Sequence, residues 1–133
     1  MPEFAKISHI SFSARDKEAS ARWLAEVLGF KEFERVERAG WSGVLLIHPQ
    51  TNTVIEYQQH DANTGVRFDP AHTGFDHMGF MVSARAELDD WQAHFERLGV
   101  DFTPISEQEY GAVLTFRDPD GVQLEMFYRE GHP

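Results

Sequence analysis

The chain has 133 residues, 41% of them hydrophobic, and carries 11 Phe, 3 Tyr and 3 Trp, enough apolar bulk for one folded domain with a real core. Twelve Lys and Arg against 22 Asp and Glu give a net charge of −10, which repels nucleic-acid phosphates and anionic membrane surfaces. No apolar run approaches the roughly 20 residues that span a bilayer, and Glu3, Lys6, Arg15 and Asp16 interrupt any leader-like pattern. A cytoplasmic protein that binds neither nucleic acid nor membrane is therefore expected. With no cysteine, disulfides and thiolate metal ligands are excluded, and any bound ion must be held by imidazole and carboxylate.

The first predicted element is a strand over residues 7–13, whose alternation puts Ile10 and Phe12 on one face and Ile7, His9, Ser11 and Ser13 on the other. A helix follows from about Lys17 to Leu28, with Asp16 as N-cap, Trp23, Leu24, Val27 and Leu28 as the buried stripe, and Gly29 as an αL stop. Short strand-like runs come next, interrupted by the turn His48-Pro49-Gln50-Thr51-Asn52 and containing Val54-Ile55-Glu56-Tyr57. The polar segment Asp61–Gly74, with its Gly and Pro, reads as a connector. Residues 75–82 then form another alternating strand, with Met78 and Phe80 opposite His77, Gly79 and Met81. A second helix places Leu88, Trp91, Phe95 and Leu98 on one side and stops at Gly99. Two last strands, Val113–Phe116 and Val122–Tyr128, flank the turn Asp118-Pro119-Asp120-Gly121.

The two halves follow one plan. Ser8-His9-Ile10-Ser11-Phe12 is answered by Asp76-His77-Met78-Gly79-Phe80 at a shift of 68. Trp23 lies 14 residues after His9, as Trp91 does after His77, and Leu28-Gly29-Phe30 matches Leu98-Gly99-Val100. Ile47 and Phe116 each stand nine residues before a glutamate, Glu56 or Glu125, where the shift is 69. The expected fold is α+β: two βαβββ modules, about 5–62 and 74–130, joined by a linker of about 63–73. Together they are expected to form one domain over 1–133, an open eight-stranded, barrel-like sheet with flanking helices.

In that register His9 falls on His77 and Glu56 on Glu125. A single His or Glu in a strand is ordinarily packed or at an edge, but here independent Trp and Leu-Gly landmarks fix the alignment. Both glutamates lie in apolar runs, where an unpaired charge is costly to bury. Two carboxylates, two neutral imidazoles and one divalent cation sum to zero charge, which removes that penalty. His9, Glu56, His77 and Glu125 are thus candidate ligands of one divalent ion. His48, His72, His94 and His132 fall in turns, linker, helix and tail and read as surface residues. His60 follows Glu56 by four positions on the same strand face. It either sits at the surface where the strand ends or, with Ser11, Ser13, Gln58, Met81, Gln123 and Phe127, makes up the expected wall of a small-molecule substrate pocket.

These motifs, together with Arg117-Asp118-Pro119-Asp120-Gly121 running into Leu124-Glu125 and the Asp16 that follows His9 by seven, resemble the vicinal oxygen chelate superfamily, and within it glyoxalase I, over essentially the whole chain. The resemblance implies that the four residues ligate Ni, Zn, Co, Mn or Fe, and that two adjacent substrate oxygens bind beside them. It also implies that a ligand carboxylate moves a proton through an enediolate, with Glu125 the first candidate base and Glu56 the second. Small members usually cover their open sheet edges with a second copy, so a homodimer is expected. Ser13 and His60 stand where glutathione-using members carry Arg and Asn. A different thiol, a CoA ester or a small diketone fits the same chemistry. Related alternatives are an epimerase of the methylmalonyl-CoA type, which usually has Gln in place of Glu56; ring-cleaving dioxygenases and fosfomycin thiol transferases, which use only the two His and the last Glu and would leave Glu56 without a role; and a metal-free binding protein of the bleomycin-resistance type.

Overall fold

The structure, a computed structural model, describes residues 1–132. Its elements run β1 (Ile10–Ser13), α1 (Lys17–Leu28), β2 (Lys31–Arg38), β3 (Trp41–Ile47), β4 (Val54–His60), β5 (His77–Met81), α2 (Arg85–Leu98), β6 (Ser106–Gln108), β7 (Gly111–Arg117) and β8 (Gln123–Tyr128). The chain divides into two compact units, Met1–Val66 and a second from Arg67 onward. Each has its own four-stranded sheet, ordered β1-β4-β3-β2 and β5-β8-β7-β6. The α+β class and the repeated βαβββ order are as expected. The eight strands are shared four and four between two sheets, neither of which is closed.

In the first unit, Asp16 adopts an extended backbone and its carboxylate accepts from the N–H groups of Glu18 and Ala19, both at 3.0 Å. This satisfies donors that the first helical turn leaves orphaned. Gly29 ends the helix at φ 74°, a conformation that charges other residues a Cβ clash. α1 buries Ala21, Leu24, Val27 and Leu28 against β3 and β4. Trp23 is only half-buried, and Ser20 takes a fully buried place beside the stripe. The core beneath is Phe12, Val44, Leu46, Ile55 and Tyr57. β2 is an edge strand of mostly exposed charged residues, with a bulge at Phe33 and with Arg35 bridging Glu18 and Glu32 at 2.7 and 2.6 Å. Charges and a bulge discourage edge-to-edge pairing.

The second unit repeats this with different local solutions. α2 has no side-chain cap at Ala84; instead Glu87 reaches back to the Ser83 N–H at 2.9 Å. Leu88 and Phe95 are buried and the Phe95 ring lies 4.5 Å from that of Phe116. Leu98 departs from expectation: it is 46% exposed, because the helix turns at Gly99 and Val100 takes the core position just beyond it. The strand boundaries are shorter than predicted at the start of each module. Strand 7–13 begins only at Ile10 and strand 75–82 spans His77–Met81. Asp118 carboxylate oxygen Oδ1 accepts from the N–H groups of Asp120 and Val122 at 2.9 and 2.8 Å, locking the β7–β8 turn. The predicted linker is not free along its length, since Phe68 N–H bonds Asp120 O at 3.0 Å and Arg67 packs against Gly121.

One landmark needs a correction. Leu45 pairs with Glu56 but Thr115 pairs with Glu125, so β3 and β7 are related by a shift of 70 while β4 and β8 keep 69. The buried counterpart of Phe116 is therefore Leu46, not Ile47, and the difference arises because the first hairpin loop is one residue longer. Chemical denaturation tests the local analysis: Asp16→Ala is expected to lower stability by about 1 kcal/mol. Phe95→Ala, which empties a fully buried ring site, is expected to lower it by roughly 3–5 kcal/mol; equal effects would contradict the assignment of one residue to a cap and the other to the core.

Candidate functional site

In each module the first strand runs parallel to the last, which places Ser11 opposite Glu56 and Gly79 opposite Glu125. Alternation sends Ile55 and Tyr57 toward α1, and Leu124 and Met126 toward α2, so each glutamate occupies the face that carries no helix. On the first sheet that face holds Ser11, Ser13, Glu56, Gln58 and His60, with Trp41 and Gly43 from β3; on the second it holds His77, Gly79, Met81, Gln123, Glu125 and Phe127. All the predicted site residues except His9, which precedes β1 by one residue, thus lie on these two faces.

Glu56 is 5% exposed. Its Oε2 accepts a hydrogen bond from Ser11 Oγ and another from Gln58 Nε2 at 2.9 Å. Its Oε1 presses on Gly43, where an added Cβ would come within 2.6 Å. Glu125 is less enclosed, with 21% of its side chain exposed. Thr115 Oγ1 donates to Oε1 over a long 3.4 Å, and His77 Nε2 stands 3.5 Å from Oε2. His77 is 46% exposed, and its Nδ1 lies 2.6 Å from the Asp76 carboxylate. An Nδ1–H donated to that carboxylate fixes the tautomer that leaves the Nε2 lone pair toward Glu125. His9 has the matching arrangement, with Nδ1 2.7 Å from Ser8 Oγ, but it is exposed and its side chain does not contact Glu56.

The structure therefore brings His77 and Glu125 together, and surrounds Glu56 with Ser11 and Gln58 in place of a histidine. Among the described residues no group of three or more His, Asp or Glu is gathered as metal ligands. The donor chemistry fits a divalent cation nonetheless. His77 carries the carboxylate-backed Nδ1 characteristic of ligating imidazoles, and Glu56 sits in a cradle that any side chain at position 43 would fill. His60 packs against Trp41 with ring centroids 6.2 Å apart. Gln123 Nε2 reaches the Asp76 carbonyl at 3.5 Å, and the Phe127 ring lies 6.4 Å from Tyr110 and 5.7 Å from His132. A cavity of about 390 Å³ opens beside Met81, lined also by Ser83, Tyr128, Arg129 and His132. Ser8, Gly43 and the role of Asp76 are not singled out by sequence pattern. A glycine inside a strand is a known sign of close approach, so Gly43 alone carried a usable signal.

A profile of the Glyoxalase/Bleomycin resistance protein/Dioxygenase superfamily matches residues 6–126. A crystal structure of a glyoxylase/bleomycin resistance protein/dioxygenase domain from Frankia sp. EAN1pec is 31% identical, with a TM-score of 0.87 over 96% of this chain and 100% of that one. A Bacillus subtilis protein named "Putative ring-cleaving dioxygenase MhqA" is 26% identical over 92% of this chain, which spans only 39% of that protein's length. A variant of the fosfomycin resistance protein FosX from Listeria monocytogenes, complexed with Mn(II) and 1S,2S-dihydroxypropylphosphonic acid, shares the fold at 16% identity. Its TM-score is 0.70, covering 94% of this chain and 90% of that one. Among the described residues no helix is long and apolar enough to cross a membrane.

The hydrogen bond to Asp76 raises the His77 pKa above the ordinary value; partial burial opposes this, and the charges of Glu125 and Asp76 add to it. Because the folded value is raised, the stabilisation is present below the unfolded pKa and fades as pH rises through the folded one. In metal-free protein an NMR titration is expected to give a His77 midpoint above 6.5, and Asp76→Asn is expected to bring it down. An unmoved midpoint would remove Asp76 as the cause.

Proposed function

The chain belongs to the Glyoxalase/Bleomycin resistance protein/Dioxygenase superfamily, and we propose that within it this protein is a metal-dependent lyase or isomerase of the glyoxalase I type. Its substrate is a small molecule with two neighbouring oxygens, and the reaction moves a proton between adjacent carbons through an enediolate. His9, Glu56, His77 and Glu125 would hold the ion, Ni, Zn, Co, Mn or Fe, with one imidazole and one carboxylate coming from each module. When bound, a divalent ion supplies a Lewis acid that polarises the substrate oxygens.

The observation that carries this reading is the Asp76–His77–Glu125 arrangement, with its distances of 2.6 and 3.5 Å. Asp76 orients the imidazole and Glu125 is the base: its carboxylate is partly exposed, and position 79 beside it is open space. A base must reach a substrate proton at hydrogen-bond distance, which an accessible carboxylate on an open strand face can do. Ser13, His60 and Gln123 offer polar contacts to the substrate, and Met81 and Phe127 an apolar wall. The Mn(II) in the FosX complex supports the metal. Within the same reading the two modules act as one domain and the protein works in the cytoplasm as a homodimer. Strands β1 and β5, each ending its sheet without the charged run and bulge of β2, support the homodimer.

Metal content of the purified protein, and turnover of methylglyoxal with a panel of thiols, test the class of reaction. Two variants then separate the roles. Glu125→Gln keeps an oxygen donor of the same shape but cannot take up a proton, so it is expected to retain much of its metal while turnover falls by roughly 10²–10⁴. His9→Ala removes a ligand and is expected to lose metal affinity and stability together. A Glu125→Gln protein with full metal and near-native turnover would exclude Glu125 as the base.

A further inference from the structure

The two glutamates that the repeat makes equivalent have unlike surroundings. Three residues meet the Glu56 carboxylate: Ser11 and Gln58 donate to Oε2, and Gly43 leaves room for Oε1. The strand registers identify their counterparts around Glu125. Ser11 faces Glu56 as Gly79 faces Glu125. Gln58 pairs with Gly43, and two residues beyond Glu125 the corresponding pair is Phe127 with Val113. Thus all three contacts are missing from the second module, where the hydroxyl is replaced by hydrogen, the amide by a phenyl ring, and the glycine by a valine. Nothing lies within 4 Å of a Cβ built at Gly79. Glu125 has open space where Glu56 has a hydrogen-bond donor.

We infer that Ser11, Gln58 and Gly43 are positioning residues that hold Glu56 in one orientation, its Oε2 committed to two donors and its Oε1 left to ligate, while Glu125, which has long contacts to Thr115 at 3.4 Å and His77 at 3.5 Å in place of this set, is able to move and carry the proton. The inference rests on the proposed metal-dependent reading. A carboxylate accepting two side-chain donors loses little freedom on meeting a cation, because its orientation is already fixed. A base that must take a proton from one carbon and return it to the next gains from the opposite condition. The duplicated site thereby divides one pair of identical side chains into a fixed ligand and a mobile proton carrier.

Metal-free crystals and calorimetric titration with Mn(II), Co(II), Ni(II) and Zn(II), each alone, test this in wild type, Ser11→Ala/Gln58→Leu, Gly43→Ala and Ser11→Thr. Glu56 is expected to occupy one rotamer in metal-free wild type and to spread over several in Ser11→Ala/Gln58→Leu. Affinity for the ion that binds wild type most tightly is expected to fall roughly 10–100-fold in that variant and in Gly43→Ala, and to stay near wild type in Ser11→Thr, which keeps the hydroxyl. Titrations well below each melting temperature keep a general loss of stability from imitating the result. A Glu56 that stays ordered in Ser11→Ala/Gln58→Leu overturns the inference. So does unchanged affinity with a disordered Glu56, which would reduce the ligand set to His9, His77 and Glu125. If no ion binds wild type, the functional reading falls, and the order of Glu56 in the metal-free crystals alone decides the positioning role.

Discussion

Parallel pairing between the first and last strands of each module is the constraint on which the site depends. Parallel neighbours cannot be joined by a tight turn. The chain leaves β1 through α1, enters the sheet at its far edge as β2, and returns through β3 to lay β4 beside β1; β5 to β8 repeat the route around α2. The helix must cover one face of the sheet to bury Leu24 and Val27, or Leu88 and Phe95. The other face is then free of the module's own helix, and alternation alone delivers a glutamate to it. Ser11 beside Glu56 and Gly79 beside Glu125 follow from the register of that single strand pair.

Holding carboxylates on such a face has an electrostatic consequence in a chain of net charge −10. The two modules meet it differently. Glu56 is almost wholly buried and is compensated by neutral donors, a hydroxyl and an amide, which solvate a carboxylate without changing the charge count. Glu125 keeps some water and has an imidazole for a neighbour, itself backed by a second carboxylate. If His77 ligates a metal as proposed, proton and metal compete for its imidazole, and the same Asp76 that orients the ring also strengthens its hold on a proton.

Small residues do much of this work. Gly43 has no side chain to make a contact, yet the Glu56 carboxylate occupies the volume that this leaves. Gly79 leaves a gap beside Glu125, with no other described residue within 4 Å of where its side chain would begin. The Frankia domain, at 31% identity and a TM-score of 0.87, shows how closely the backbone plan is kept among relatives. Likeness in the backbone leaves open what each face binds, because one or two side chains on an otherwise constant strand pair decide whether a carboxylate is pinned or free.

The amino-acid sequence by itself determined the periodic features: α1 with its Asp16 cap and Gly29 stop, the apolar side of α2 as far as Phe95, the Asp118–Gly121 turn, the repeated βαβββ order, and the strand face that His77 shares with Gly79 and Met81. Each of these is set within a few residues by strand alternation, helical spacing or turn chemistry, so a local pattern suffices. Other features were decided only by tertiary structure. Leu98 is exposed because Val100, past the helix stop, reaches the core first; Leu46 rather than Ile47 matches Phe116 because one loop is a residue longer. The clamp on Glu56 joins positions 11, 43 and 58, and the backing of His77 depends on side-chain torsions that no spacing encodes. Pairing register between distant strands and the rotamers of neighbouring residues are properties of packing, and a linear pattern carries them only where a strand glycine such as Gly43 marks the place.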